Sequence, residues 1–238
     1  MEPSRGENAS FLRGGRPQRV AVVSQPESGL SRNEILADAI VHALGIAAAL
    51  VGIAALLQES VATSGPVGSV SLYAFGLLAM LGCSAAYNLL NNLRCRELLK
   101  RLDYAAIFFM VAANYTPFTT EALHGAWSIG LTTAVWAIAI AGIAAKLFLA
   151  PHSAQGPTTL GYLAFGWIVG IVAVQPLTAV LSPALVWMIA AGGMLYTVGT
   201  LFFSMGRLPY RRAIWHSFVV AGAAVHFCAL FLMIRAGA

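Results

Sequence analysis

The chain has 238 residues, of which 59% are hydrophobic and 10% charged, with a formal net charge of +5. A soluble domain is about 45–50% apolar and about 25% charged, so a soluble enzyme, a nucleic-acid-binding module and a disordered chain are all excluded. In so apolar a chain the basic excess reports orientation in a membrane, and no nucleic-acid partner is expected.

Taken in order, residues 1–32 carry Arg5, Arg13, Arg16, Arg19 and Arg32 among Gly, Ser, Pro and Glu, with no apolar run. This stretch reads as a disordered cytoplasmic tail and not as a secretory signal. Residues 33–238 read as a membrane domain of seven apolar runs, at about 36–57, 70–93, 103–120, 126–150, 160–181, 183–205 and 213–234. Each is near the roughly 20 residues that a helix needs to cross the hydrocarbon. The runs are too long and too evenly apolar for barrel strands. The expected fold is therefore all-α, a polytopic bundle of seven transmembrane helices. The third run is the shortest and contains Asn114 and Pro117. The fifth is interrupted by Gln175–Pro176 and leads into the sixth through a very short link.

The basic residues orient the bundle. Thirteen of the fourteen lie in the tail, in the links after the second and sixth runs, and at the end of the fourth run; Arg235 is the exception. The positive-inside rule places that side in the cytoplasm. The N-terminus is then inside and the C-terminus outside, which an odd number of spans satisfies.

Several polar residues share the cytoplasmic depth. Ser84 and Asn88, four apart, lie near the end of the second run. Asp103 opens the third. Arg212 and His216, again four apart, open the seventh. Residues at that spacing share a helix face, and ionisable groups within spans commonly mark function. The five are candidate members of one pocket, although each has a plainer role. Ser84 can serve helix packing. Asn88 can join helices, Asp103 can cap one and Arg212 can snorkel to the surface. Glu34, Asp38 and His42 form a separate face along the first helix. His216 can be a satisfied buried histidine, as can His42 and His226, and His226 is turned about 80° from His216 on the helix. Trp127, Trp167, Trp187 and Trp215 read as interfacial anchors. Gly192, Gly193 and Gly199 read as sites of close helix contact or of a bend. Cys83, Cys95 and Cys228 have neither a disulfide nor a zinc-ribbon spacing.

Three segments carry a resemblance. Gly192–Phe227, GGMLYTVGTLFFSMGRLPYRRAIWHSFVVAGAAVHF, resembles the C-terminal signature of the bacterial haemolysin III family. LDYAAIFFMVAANYTPF (Leu102–Phe118) resembles its third-helix motif, and NEILADAIVHALG (Asn33–Gly45) its opening motif. That family is related to the progestin and adipoQ receptors and, more distantly, to the alkaline ceramidases. The resemblance implies seven helices and a zinc site inside the cytoplasmic surface. That site would comprise Ser-x-x-x-His on the second helix, Asp on the third and His-x-x-x-His on the seventh. Ser84, Asp103 and His216 match that pattern. Asn88 and Arg212 stand where it has histidine, and Tyr104 stands in place of the histidine usual beside the Asp. In such a site Ser84 and Asp103 are the residues that would hold a zinc-bound water and carry catalysis, and His216 the residue that would bind the metal.

Zinc takes three or four N, S or carboxylate ligands, so Asn88 and Arg212 disfavour it. The expectation is that Arg212 replaces the metal and pairs with Asp103. The functional expectation is a non-catalytic, lipid-related protein of the bacterial inner membrane, with a membrane lipid or fatty acid as partner. The alternatives are a ceramidase-like, metal-dependent lipid-amide hydrolase and the pore-forming cytolysin that the family name implies.

Overall fold

The computed structural model describes residues 29–90, 94–149 and 156–237, and one unit begins at Ser31. Most of the expected tail, the last residues of the expected second run and Ala150 lie outside the described residues. The described chain is helical, with no strand among the described residues: α1 (Arg32–Ala62), α2 (Val67–Leu89), α3 (Arg96–Pro117), α4 (Gly125–Ala144), α5 (Gly156–Thr178), α6 (Pro183–Ser204) and α7 (Arg211–Arg235). Single π-helical turns, Phe118–Ala122 and Ala145–Leu149, follow α3 and α4.

Six of these helices are long and apolar enough to cross a membrane. The other is α3, whose first turns hold Arg96, Glu97, Lys100, Arg101 and Asp103. The expected third run starts at Asp103, but the helix starts seven residues earlier. Glu97 and Arg101, four apart, pair at 3.1 Å and support the extra turns. Asp103 is therefore inside α3 and caps nothing.

Helix ends follow local chemistry. Ser31 and Glu34 form a capping box at the start of α1. Pro183 takes the first position of α6 behind the Ser182 cap. Pro176 does not stop α5 at once; the helix runs on to Thr178.

Apolar side chains face outward over long stretches. Val51, Ile129, Phe148 and Trp187 are all at least 71% exposed. Water would not tolerate that surface, whereas acyl chains do. This is an integral membrane protein. Trp167 Nε1 donates to Thr197 Oγ1 of α6 at 2.9 Å, which ties α5 to α6.

Two glycines bring the site-bearing helices together. A Cβ on Gly45 of α1 would lie 2.8 Å from Val220 Cγ2 of α7, and one on Gly76 of α2 would lie 2.7 Å from Ala113 Cβ of α3. Small residues at such crossings let backbones approach closely. Gly45 is three residues past His42, and Val220 is four past His216, so the first contact lies one turn above those two side chains.

Candidate functional site

Asp38 and His42 share one face of α1, being four residues apart, and both are buried. The face meets the first turns of α7 and the last turns of α2. His42 Nδ1 donates to the Asp38 carbonyl at 2.8 Å. His216 Nδ1 donates to Asp38 Oδ1 at 2.5 Å, because a carboxylate can only accept. Arg212 Nη2 donates to Asp38 Oδ2 at 3.0 Å and to the Asn88 carbonyl at 3.0 Å. Both oxygens of Asp38 are thus engaged, one by an imidazole and one by a guanidinium.

The imidazole nitrogens left over converge on one hydroxyl. His42 Nε2 is 3.2 Å and His216 Nε2 3.3 Å from Ser84 Oγ. The two rings meet edge to face with centroids 4.3 Å apart. Asn88 Nδ2 donates to the Ser84 carbonyl at 2.9 Å and to Ser84 Oγ at 3.3 Å. Ser84 has a single proton, so it can donate to only one Nε2 at a time. Asp103 interacts with the Ser84 side chain and lies within electrostatic range of His216, Arg212 and Asp38.

Ser84, Asn88, Arg212 and His216 thus belong to one hydrogen-bonded group, with Asp103 beside Ser84. The partner expected for Arg212 was Asp103; its ion pair is with Asp38, buried to 1% exposure. Asp38 and His42, which by spacing alone form a separate face of α1, complete the same group. The signal that could have found them was already there, in the four-residue spacing of Glu34, Asp38 and His42. His226 is in another cluster: its Nδ1 meets Asn114 Nδ2 at 3.2 Å, and its Nε2 donates to the Ile189 carbonyl at 2.9 Å.

Asp38, His42 and His216 bring ligand-type atoms within 4.8 Å of one another, close enough to consider a metal ion. Ligand atoms on one tetrahedral zinc lie about 3.3 Å apart, given bonds of about 2.0–2.1 Å. The 2.5 Å between Asp38 Oδ1 and His216 Nδ1 is a hydrogen-bond distance. Arg212 also sets a fixed positive charge against the same carboxylate. As arranged, Asp38 Oδ1 and His216 Nδ1 are bonded to each other and are not a fitting pair of ligands for a resident zinc ion.

Fold and site together define a polytopic helical membrane protein with a buried ionic cluster where α1, α2 and α7 meet, beside α3. The chain belongs to the haemolysin III family: the family model described as "Haemolysin-III related" matches residues 31–227. It is similar to the hemolysin-3 homolog of Bacillus subtilis (strain 168), 32% identical over 205 residues that cover 85% of this chain and 95% of the relative. Similarity to hemolysin-3 of Bacillus cereus is 33% over 207 residues, covering 84% and 92%. The Homo sapiens monocyte to macrophage differentiation factor, a relative from the progestin and adipoQ receptor branch, is 29% identical over 204 residues, covering 83% of each chain.

Proposed function

We propose that the chain is a seven-span protein of the bacterial inner membrane, N-terminus inside and C-terminus outside, which handles membrane lipid or fatty acid without hydrolysing it. The observation that carries the non-hydrolytic reading is the double engagement of Asp38, by His216 at 2.5 Å and Arg212 at 3.0 Å. A buried carboxylate already satisfied by a guanidinium has no need of a metal. The seven spans and their orientation are supported by the distribution of arginine and lysine, with α3 crossing by packing against α2 and α4 despite its charged first turns. A bundle of helices suits an inner membrane, since outer-membrane spans are barrels. The lipid partner is supported by the apolar outer surface, along which the groups met are acyl chains.

The pore reading implied by the relatives' names finds less support. A water-filled pore needs polar lining from end to end. Between His216 and His226, α7 offers only Ser217 as a polar side chain, and its hydroxyl donates to the Ala213 carbonyl at 2.8 Å.

Metal analysis by mass spectrometry on purified protein tests the reading, together with native mass spectrometry for retained lipid. The expected result is zinc far below one per chain and a lipid or fatty acid carried through purification. Stoichiometric zinc that disappears in His42→Ala and His216→Ala would overturn it in favour of the metal-dependent hydrolase. Protein free of both zinc and lipid would overturn the lipid half.

A further inference from the structure

Ser84, His216 and Asp38 are linked in series by hydrogen bonds. His216 Nδ1 donates to Asp38 Oδ1 at 2.5 Å, so in the neutral ring Nε2 is an acceptor. That nitrogen lies 3.3 Å from Ser84 Oγ, and the serine hydroxyl is the donor it faces. A hydroxyl, an imidazole and a carboxylate linked in this order activate serine as a nucleophile. The three residues come from α2, α7 and α1. Such a group is recognised by its geometry and not by the order of its members in the chain.

The surrounding contacts give each group one task. Arg212 occupies Asp38 Oδ2 at 3.0 Å, which leaves Oδ1 to the imidazole and fixes the carboxylate. Asp38 and His216 are buried, whereas Ser84 is partly exposed, so the member of the series open to a substrate is the nucleophile. Asn88 Nδ2 has two hydrogens; one goes to the Ser84 carbonyl at 2.9 Å and the other to Ser84 Oγ at 3.3 Å. A donor beside the attacking oxygen is well placed for the oxyanion that forms there. His42 Nε2 also lies 3.2 Å from Ser84 Oγ, but its Nδ1 is turned to the Asp38 carbonyl at 2.8 Å and is 3.7 Å from the carboxylate. His216 is therefore the ring on which a gained proton is balanced by Asp38. Ser84 stands five residues before the end of α2, about 7.5 Å along the helix axis. That is near the junction of acyl chains and headgroups, where the ester carbonyls of lipids lie.

We propose that Ser84 is the nucleophile of an acyl-transfer site for membrane lipid esters, with His216 as general base and Asp38 as its positioning residue. Ser84 Oγ attacks the acyl carbonyl carbon while its proton passes to His216 Nε2. The tetrahedral intermediate breaks the C–O bond to the lipid, and the leaving alkoxide takes the proton from His216. An acyl-serine and a lipid alcohol result. A second lipid hydroxyl then gives its proton to His216 and attacks the acyl-serine; the bond to Ser84 Oγ breaks, and the serine regains a proton from His216. No water is consumed and nothing is oxidised or reduced. This rests on the lipid reading above and gives it a chemistry: acyl groups pass between lipid hydroxyls and are not released as fatty acid. The hydrogen bond that makes Asp38 and His216 a poor pair of zinc ligands is the one that orients the base.

A long-chain alkyl fluorophosphonate tests the nucleophile, because its phosphorus bonds to an activated serine oxygen as fluoride leaves. With the unmodified protein in phosphatidylglycerol vesicles, one adduct per chain is expected, mapped to Ser84 by peptide mass spectrometry and unchanged after dialysis against EDTA. Asp38→Asn with Arg212→Gln leaves no unpaired charge. In that protein the limiting rate of adduct formation is expected to fall about 100-fold or more, with the half-saturating probe concentration kept, as loss of the orienting carboxylate requires. A second arm places the protein in vesicles of phosphatidylglycerol with deuterated acyl chains, together with unlabelled lysophosphatidylglycerol. Deuterated chains are expected on the lysolipid, and none with Ser84→Ala. No adduct at Ser84, or one that EDTA prevents, overturns the proposal and leaves the lipid reading to the retained-lipid measurement. An adduct at Ser84 with free fatty acid as the only acyl product overturns both the transfer and the non-hydrolytic reading.

Discussion

Asp38 and Arg212 are 174 residues apart in sequence and 3.0 Å apart in space. The pair ties the second turn of α1 to the first turn of α7. Arg212 Nη2 extends the tie to the Asn88 carbonyl at the end of α2, so three helices share one guanidinium. Asp38 is 1% exposed and the Arg212 side chain 20%, which makes this an interior ion pair and not a surface one.

Removing one partner leaves the other charged and unsatisfied in a low dielectric. Asp38→Asn is expected to destabilise the protein by about 3 kcal/mol. Asp38→Asn combined with Arg212→Gln is expected to recover much of that loss, because no unpaired charge remains. Thermal unfolding of the two single variants and the double variant in detergent checks this; strictly additive losses would show that the pair does not act as a unit.

Asn88 and Arg212 are the two departures that disfavour zinc. Asn88→His with Arg212→His removes the fixed positive charge and adds two imidazoles beside His42 and His216. The double variant is expected to bind one zinc per chain, and to lose it on further change of His216 to Ala. Metal content of the purified variants decides the matter. A double variant without zinc would show that the geometry, and not merely the guanidinium, excludes the ion.

The crossing of α2 and α3 depends on the missing side chain of Gly76. Gly76→Ala puts a methyl 2.7 Å from Ala113 Cβ, and neither group is the end of a flexible chain. Overpacking of this kind costs about 1–3 kcal/mol. Ala113→Gly in the same protein is expected to restore stability. If Gly76→Ala alone leaves Tm unchanged, the two helices are not held so closely.

Orientation has its own test. A reporter fused after Ala238 is expected to be active only outside the cytoplasm, and one fused before Met1 only inside, as the arginine distribution requires. Activity of the C-terminal fusion in the cytosol would mean an even number of spans, with α3 the helix that fails to cross, since its charged first turns set it apart from the other six.

Much of this molecule could be read from the chain alone. Transfer of apolar groups out of water acts on local composition, so six long apolar helices were visible as runs, and their basic flanks were visible as charge. Helix periodicity is also local. It put Ser84 with Asn88, Arg212 with His216, and Asp38 with His42 on common faces. It could not say which faces meet. Depth alone suggests Asp103 as the partner of Arg212, and the fold pairs it with Asp38, because the depth of a residue restricts its partners without choosing among helices at that depth. The choice was made by backbone approach at contacts such as Gly45 against Val220. Side-chain volume across a helix crossing is a property of two distant segments at once, and only the tertiary structure holds both.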